Sequence, residues 1–225
     1  MRAAAFFDLD RTLVSRSSAL ALARPFRERG LITRRQLARA AVWQVLFTLL
    51  GDSEGATLRA AERGLRVLAG STPDDMRQLV AEALETALRP LVYAEPLQLL
   101  RMHRERGEAV FIVSATLQEI VDTIAADLGF DGGVGSVCEL DSDGRYTGRA
   151  LRILHGPEKA AELRTLAAAE GFDLGACTAY SDSHTDLPFL EAVGHPVAVN
   201  PDRRLRRVAA RRGWPVLEFR ARHAA

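Results

Sequence analysis

The sequence is short of lysine. Lys159 is the only one among 30 basic residues, and arginine supplies the rest. Either side chain would serve a solvated face, so a solitary lysine raises the question of its role; a compositional bias toward arginine is the competing explanation. Cysteine is nearly as scarce. Cys138 and Cys177 stand far apart and in no metal-type spacing, and a reduced, cytoplasmic compartment is the expectation. No signal-peptide pattern is present, because Met1-Arg2 leads straight into an apolar strand. No apolar run is long enough to span a bilayer. The most hydrophobic one, Ala40 to Leu50, reads as a buried helix segment. Net charge is also missing. A balance of +1 argues against nucleic acid or an anionic membrane as the main partner. Internal repeats and low-complexity linkers are absent. What remains is a chain of 225 residues, 48% hydrophobic, suited to one compact unit or a core with an inserted subdomain.

The chain is organised around Phe6-Phe7-Asp8-Leu9-Asp10-Arg11-Thr12-Leu13-Val14. An apolar run of this kind reads as a buried strand. It ends in two carboxylates, and a carboxylate without a partner or a metal is heavily penalised away from water. A divalent cation is one way to compensate them; a solvated loop that caps a helix is the other.

From about Ser15 to Arg89 the pattern is helical. Ser17 or Ser18 is expected to cap a first helix through Leu20, Leu22 and Phe26, with Pro25 kinking or ending it. Thr33 to Gln36 form a capping-box pattern before Leu37 to Leu50. Ser53 and Glu54 open a third helix containing Leu58, Ala61, Leu65 and Leu68. Thr72-Pro73-Asp74-Asp75 open a fourth, with proline at the first position and acids in the first turn.

From Pro90 helices and strands alternate. Glu95 to Glu105 is a predicted helix, and Glu108 to Val113 a predicted strand ending at Ser114-Ala115-Thr116. Thr116 to Glu119 are a predicted capping box. Val134 to Leu140 and Arg145 to Leu151 flank Asp141-Ser142-Asp143-Gly144, read as a hairpin turn. A helix follows from Gly156-Pro157 to about Glu170. Ala176 to Ser181 is a strand ending at Asp182-Ser183-His184-Thr185-Asp186, before a short helix over Leu187 to Ala192. Pro196 to Val199 is a strand ending at Asn200-Pro201-Asp202, before a basic helix to Arg212. Pro215 to Phe219 is an edge strand. This alternation predicts an α/β fold, a doubly wound and mostly parallel sheet. The expected division is a core of residues 1–14 and 90–225 with a helical insertion of residues 15–89.

In such a sheet ligands gather at the carboxyl ends of the strands. Asp8, Asp10, Ser114, Asp182 and Asn200 all fall there. Lys159 joins them from the first turn of a helix, where the macrodipole disfavours a cation unless an anion lies nearby.

These residues resemble, in order, the four motifs of the haloacid dehalogenase superfamily. Asp8-Leu9-Asp10-Arg11-Thr12 is similar to the first, Ser114 to the second, Lys159 to the third, and Ser181 to Asp186 to the acidic fourth. The insertion resembles a C1 cap. With Tyr180 to Leu190, it points to the phosphoserine-phosphatase-like branch, subfamily IB. The resemblance implies a phosphatase with a Rossmann-like core. Asp8 would be the nucleophile that forms an aspartyl phosphate. Asp10 would protonate the leaving oxygen and then activate water. Mg²⁺ would bind the Asp8 carboxylate, the Asp10 main-chain carbonyl and Asp182. Ser114, with Ala115 beside it, and Lys159 would hold phosphoryl oxygens. Thr12 and Asp186 would stand behind these groups, Asp186 orienting Lys159 or the metal's waters. Asn200 is matched to an asparagine that contacts phosphate or substrate; the alternative for it is a helix cap before Pro201. His184 occupies a variable position and reads as a loop residue.

Phosphoserine-specific members carry a cap glutamate soon after the first motif. Ser15-Arg16-Ser17-Ser18 contain no acid, which argues against phosphoserine. Arg16 would instead meet an acidic or second phosphate group, or simply be solvated. Arg11 and Ser181 replace the small residue and the glycine usual at their positions. The expected partner is a small phosphorylated metabolite, with a lipid phosphate facing Leu37 to Leu50, or histidinol phosphate, as alternatives. A non-catalytic phosphate-binding module is the reading from another class, and the apolar insertion offers a surface for a homodimer.

Overall fold

The computed structural model describes residues 2–30 and 65–221. The predicted capping box at Thr33, the helix over Leu37 to Leu50 and the start of the third helix at Ser53 lie outside the described residues.

Seven strands form one sheet: β1 (Ala4–Phe7), β2 (Ala109–Leu117), β3 (Gly132–Leu140), β4 (Tyr146–Arg152), β5 (Thr178–Ser181), β6 (His195–Val199) and β7 (Val216–Leu217). Their spatial order is β4-β3-β2-β1-β5-β6-β7. Every neighbouring pair is parallel except β3 with β4, the hairpin closed at Asp141 to Gly144. The order builds outward from β1 to β4, then returns to lay β5 on the other side of β1. That reversal opens a crevice at the carboxyl ends of β1 and β5, the place where doubly wound sheets bind ligands.

Seven α-helices are described: α1 (Ser18–Glu28), α2 (Pro73–Ala83), α3 (Ala94–Glu105), α4 (Gln118–Leu128), α5 (Pro157–Glu170), α6 (Leu187–Leu190) and α7 (Arg203–Arg212). β1 is buried on both faces, as its uninterrupted apolar run requires. Ala5 and Phe7 face a core that includes Leu22, Met76, Leu100 and Ile124. Ala4 and Phe6 face another that includes Leu163, Phe189 and Leu205. Alternation along the strand thus joins two layers of helices through four residues. No described helix is long and apolar enough to cross a membrane. Both cysteines are free and buried, and the Cys177 sulfur accepts from the Ala4 amide at 3.3 Å.

Several predicted signals act differently from their expectation. The capping box at Thr72 forms, with Thr72 and Asp75 exchanging side-chain and main-chain bonds. The one at Thr116 does not. β2 runs on through Leu117, and α4 starts without a side-chain cap. The Gln118 side chain instead bridges to β3, donating to the Gly133 carbonyl and accepting from the Gly135 amide. Ser17 stands at the cap position of α1 but makes no capping bond. Pro25 does not end that helix, which runs on to Glu28; one missing donor is tolerated where the helix packs on the core. Before α5, Gly156 has φ 55°, a value that side chains disfavour. Pro157 follows at the first helical position, where its fixed φ suits the start. This turn sets where α5 begins and so where Lys159 lies.

Candidate active site

Asp8 is the first residue past β1. Its amide still joins the sheet, donating to the Tyr180 carbonyl at 2.9 Å, while its carboxylate emerges at the crevice. Asp182 is the first residue past β5. Both stay buried, each 7% exposed. Directly after Asp8 the chain folds tightly. The Leu13 and Val14 amides both donate to the Leu9 carbonyl, and Arg11 adopts φ 62° in the left-handed region. A non-glycine residue held there marks a constrained site loop.

Lys159 fills the space between the two acidic segments. Its Nζ donates to Asp8 Oδ1 at 2.6 Å and to Asp186 Oδ2 at 2.7 Å. It is 2% exposed and lies 4.7 Å from the Phe189 ring centroid. Asp186 also accepts from the Ser181 hydroxyl at 2.7 Å. The cation in the first turn of α5 therefore has its anions: two carboxylates offset the unfavourable helix dipole. Burial works to lower the Lys159 pKa, and the Asp186 and Asp8 carboxylates overrule it, so the ammonium stays charged.

One lysine does not neutralise this group. Asp8, Asp182 and Asp186 are buried, and Asp10 is partly so. Burial, opposed by Lys159 and reinforced by Asp186 and Asp10, pushes Asp8 up to about 7. Burial and the charges of Asp8 and Asp186 raise Asp182 well above the carboxylate range. Burial also raises Asp10, against hydrogen bonds from Ser18 and Ser17. Carboxylates forced toward their neutral form by burial, and at Asp8 and Asp182 also by neighbouring negative charge, are a donor set that a hard divalent cation relieves. Among the residues expected to hold such a cation, the Asp8 and Asp182 carboxylates are buried at the ends of β1 and β5. No three His, Cys, Asp or Glu side chains among the described residues converge as an all-side-chain cage.

The remaining predicted residues divide. Ser114 is buried within β2, which runs past it rather than ending there as expected, and its hydroxyl accepts from the Thr116 amide at 3.1 Å. Ala115 beside it is exposed. Thr12 is fully buried, and its hydroxyl has no hydrogen-bond partner among the described residues. Arg16 is exposed. Asn200 is not joined to the cluster by any hydrogen bond among the described residues. Its amide donates to the Phe219 carbonyl and accepts from the Phe219 amide. Nor does it cap α7, whose cap is Asp202. Asp202 also ties down the acidic loop: its amide donates to the Asp182 carbonyl, and its carboxylate accepts from the His184 amide and ring. Although burial would raise its pKa, the bonds from His184 and Leu205 hold Asp202 below the usual range.

Sequence reasoning missed three contacts. Ser181 supports Asp186. The Ser18 amide holds Asp10 Oδ1 at 2.8 Å. The Ser18 and Thr116 hydroxyls pair at 3.1 Å. The only available sign for the first was a hydroxyl where the resembling family has glycine. The Ser18–Asp10 bond spans only eight residues, but the local signal read Ser18 as a helix cap; Ser18 and Thr116 are 98 residues apart, beyond any local pattern.

The family described as haloacid dehalogenase-like hydrolase matches residues 5–191, a span that holds Asp8, Asp10, Ser114, Lys159 and Asp182. The chain belongs to the haloacid dehalogenase-like hydrolases. A probable phosphatase of Mycobacterium tuberculosis is 44% identical over 97% of this chain and 76% of its own length. A phosphoserine phosphatase of the same organism is 40% identical over 100% of this chain and 74% of its own. A histidinol-phosphatase of Neisseria meningitidis is 30% identical over 98% and 100%. Among solved structures, a Bordetella pertussis protein of unknown function shares 29% identity with a TM-score of 0.84, over 96% of this chain and 98% of that one. A phosphoserine phosphatase solved as a phospho-aspartyl intermediate analogue has a TM-score of 0.69 at 18% identity, over 98% and 95%. That last likeness is one of fold. It agrees with the α/β architecture of this haloacid dehalogenase-like hydrolase.

Proposed function

We propose that the protein is a Mg²⁺-dependent phosphatase that hydrolyses a small phosphomonoester through an aspartyl phosphate on Asp8. The observation that carries this reading is the buried bridge from Lys159 to Asp8 and Asp186 at the end of β1. It keeps a carboxylate fixed and pointed into the crevice beside a permanent cation. The relatives named as phosphatases support it.

Asp8 attacks phosphorus, forming the acyl phosphate as the bond to the leaving oxygen breaks. Asp10 gives that oxygen its proton. Asp10 then takes a proton from the water that attacks the acyl phosphate, which returns Asp8 and releases inorganic phosphate. Ser114, the main chain at Ala115 and Lys159 hold the transferring oxygens. Asp8, Asp182 and the Asp10 carbonyl would hold Mg²⁺, which supplies the charge neutralisation that lets a carboxylate approach a phosphate. Residues 15–89 would act as the cap over this crevice, with Arg16 at its start.

The test is phosphate release with Mg²⁺ across amino-acid, amino-alcohol, sugar and lipid phosphates, with O-phosphoserine and histidinol phosphate included. Turnover that depends on Mg²⁺ and disappears in Asp8→Asn is the expected outcome. Hydrolysis of none of them, or an Asp8→Asn enzyme as active as the parent, would sink the reading.

A further inference from the structure

We propose that the Ser18–Thr116 hydroxyl pair is a clasp that holds the first turn of α1 against the end of β2, and so orients the Asp10 carboxyl for proton transfer. The inference rests on the reading of Asp10 as the acid of the proposed phosphatase.

The first amides of a helix have no intrahelical acceptor and need one from elsewhere. In α1 the usual side-chain cap is missing. The Ser18 amide donates instead to Asp10 Oδ1, at 2.8 Å. One carboxyl oxygen of Asp10 is thereby held by the helix end, and the Ser18 and Ser17 side chains also hydrogen-bond this carboxyl. An amide fixes that geometry only if the helix end is itself fixed. The anchor is the Ser18 hydroxyl, fully buried and 3.1 Å from Thr116 Oγ1. Thr116 is in turn tied to the serine of the same strand, its amide donating to Ser114 Oγ at 3.1 Å. A continuous set of bonds therefore runs from Asp10 through Ser18 and Thr116 to Ser114. It links the proton donor to the side chain expected to grip the phosphoryl group. Both hydroxyls stand where the sequence shows cap signals, and neither acts as a cap. Ser18 is a positioning residue in this scheme, because it acts through Asp10.

Ser18 is the first residue of α1, a position where proline is well accepted. Ser17 before it has φ −63° and ψ 125°, the extended backbone that a following proline demands. Ser18→Pro therefore removes the donor and the hydroxyl together at little cost to the helix. The measurement is kcat/KM with Mg²⁺ on p-nitrophenyl phosphate, phenyl phosphate and benzyl phosphate. This constant covers the steps up to phosphoryl transfer, in which a poor leaving group needs the acid and a good one does not. Ser18→Pro is expected to lower kcat/KM roughly tenfold on benzyl phosphate and less than about twofold on p-nitrophenyl phosphate. Should that variant fail to fold, Thr116→Val is the second probe, since valine suits a strand and lacks the hydroxyl. It should show the same selectivity, and Thr116→Ser should retain parental behaviour. An equal loss on all three substrates, or no loss on any, overturns the clasp. Asp10→Asn serves as the reference. If it is selective and Ser18→Pro is not, the clasp alone falls. If Asp10→Asn itself shows no dependence on the leaving group, the acid assignment falls and the clasp with it.

Discussion

The chain contains two Asp-x-Asp segments with different fates. Asp141-Ser142-Asp143 sits on the exposed turn between β3 and β4. The Asp141 carboxylate accepts from the Asp143 and Arg145 amides at 3.0 and 2.9 Å, which closes the turn. Asp8-Leu9-Asp10 has the same spacing but follows a strand buried on both faces. Leu9 is fully buried between the two acids. Asp8 meets a lysine rather than water, and its pKa rises toward 7. Spacing is common to both segments; location at the switch of strand order is not. A carboxylate pair becomes reactive when the fold denies it solvent and supplies less positive charge than it needs.

The comparison sharpens most under amide substitution, which keeps shape and removes charge. Asp8→Asn should lower kcat by about 10⁴-fold or more in a phosphate-release assay. Next comes the cation. Lys159→Met leaves Asp8 and Asp186 buried and unpaired, a loss of about 3–5 kcal/mol in urea unfolding at neutral pH. The loss should shrink in mild acid, where Asp8 takes up a proton. Asp10→Asn should cost about 10²-fold in kcat yet spare Mg²⁺ binding, because the proposed ligand is its main-chain carbonyl; calorimetric titration should show Asp182→Asn binding far more weakly.

A smaller effect concerns pH. Asp8, Asp10 and Asp182 all have native pKa values above the ordinary range near 4. Between that range and about 7 for Asp8, the native metal-free protein holds protons that the unfolded chain has released. Stability without metal should therefore fall as pH rises through this window. Mg²⁺ competes with those protons, so the rise in Tm it produces should grow from about pH 5 to about pH 8. At the far end of the scale, Asp141→Asn should leave kcat within about twofold and Tm within about 2 °C. A large loss of activity there would break the comparison.

Much of the site was legible because strand ends announce themselves. The apolar run into Asp8 and the one into Ser181-Asp182 needed only local pattern, and the doubly wound arrangement followed from alternation. Lys159 was legible through a conflict, a cation in a helix's first turn, which the two carboxylates resolve. Contacts between distant segments were not legible. Ser18 and Thr116 are 98 residues apart, and each carries a credible local role as a cap. Tertiary partners outcompeted that role: Thr116 turned to Ser18, and Gln118 to β3. Asn200 shows the same limit. Its place after a strand suggested a ligand contact or a cap, and the structure adds a bond pair to the Phe219 main chain beside β7. Residue type and strand position gave no sign of that neighbour.

The central assignment is that Asp8, and neither of the other crevice carboxylates, takes the phosphoryl group. Acid quenching during turnover of a phosphate-labelled monoester with Mg²⁺, followed by peptide mapping, tests it directly. The expected result is label on the peptide containing Asp8 in the wild-type protein and at the Asp8 side chain by fragmentation, with none in Asp8→Asn. Label on Asp10 or Asp182, or turnover with no protein-bound phosphate at any quench time, would contradict it.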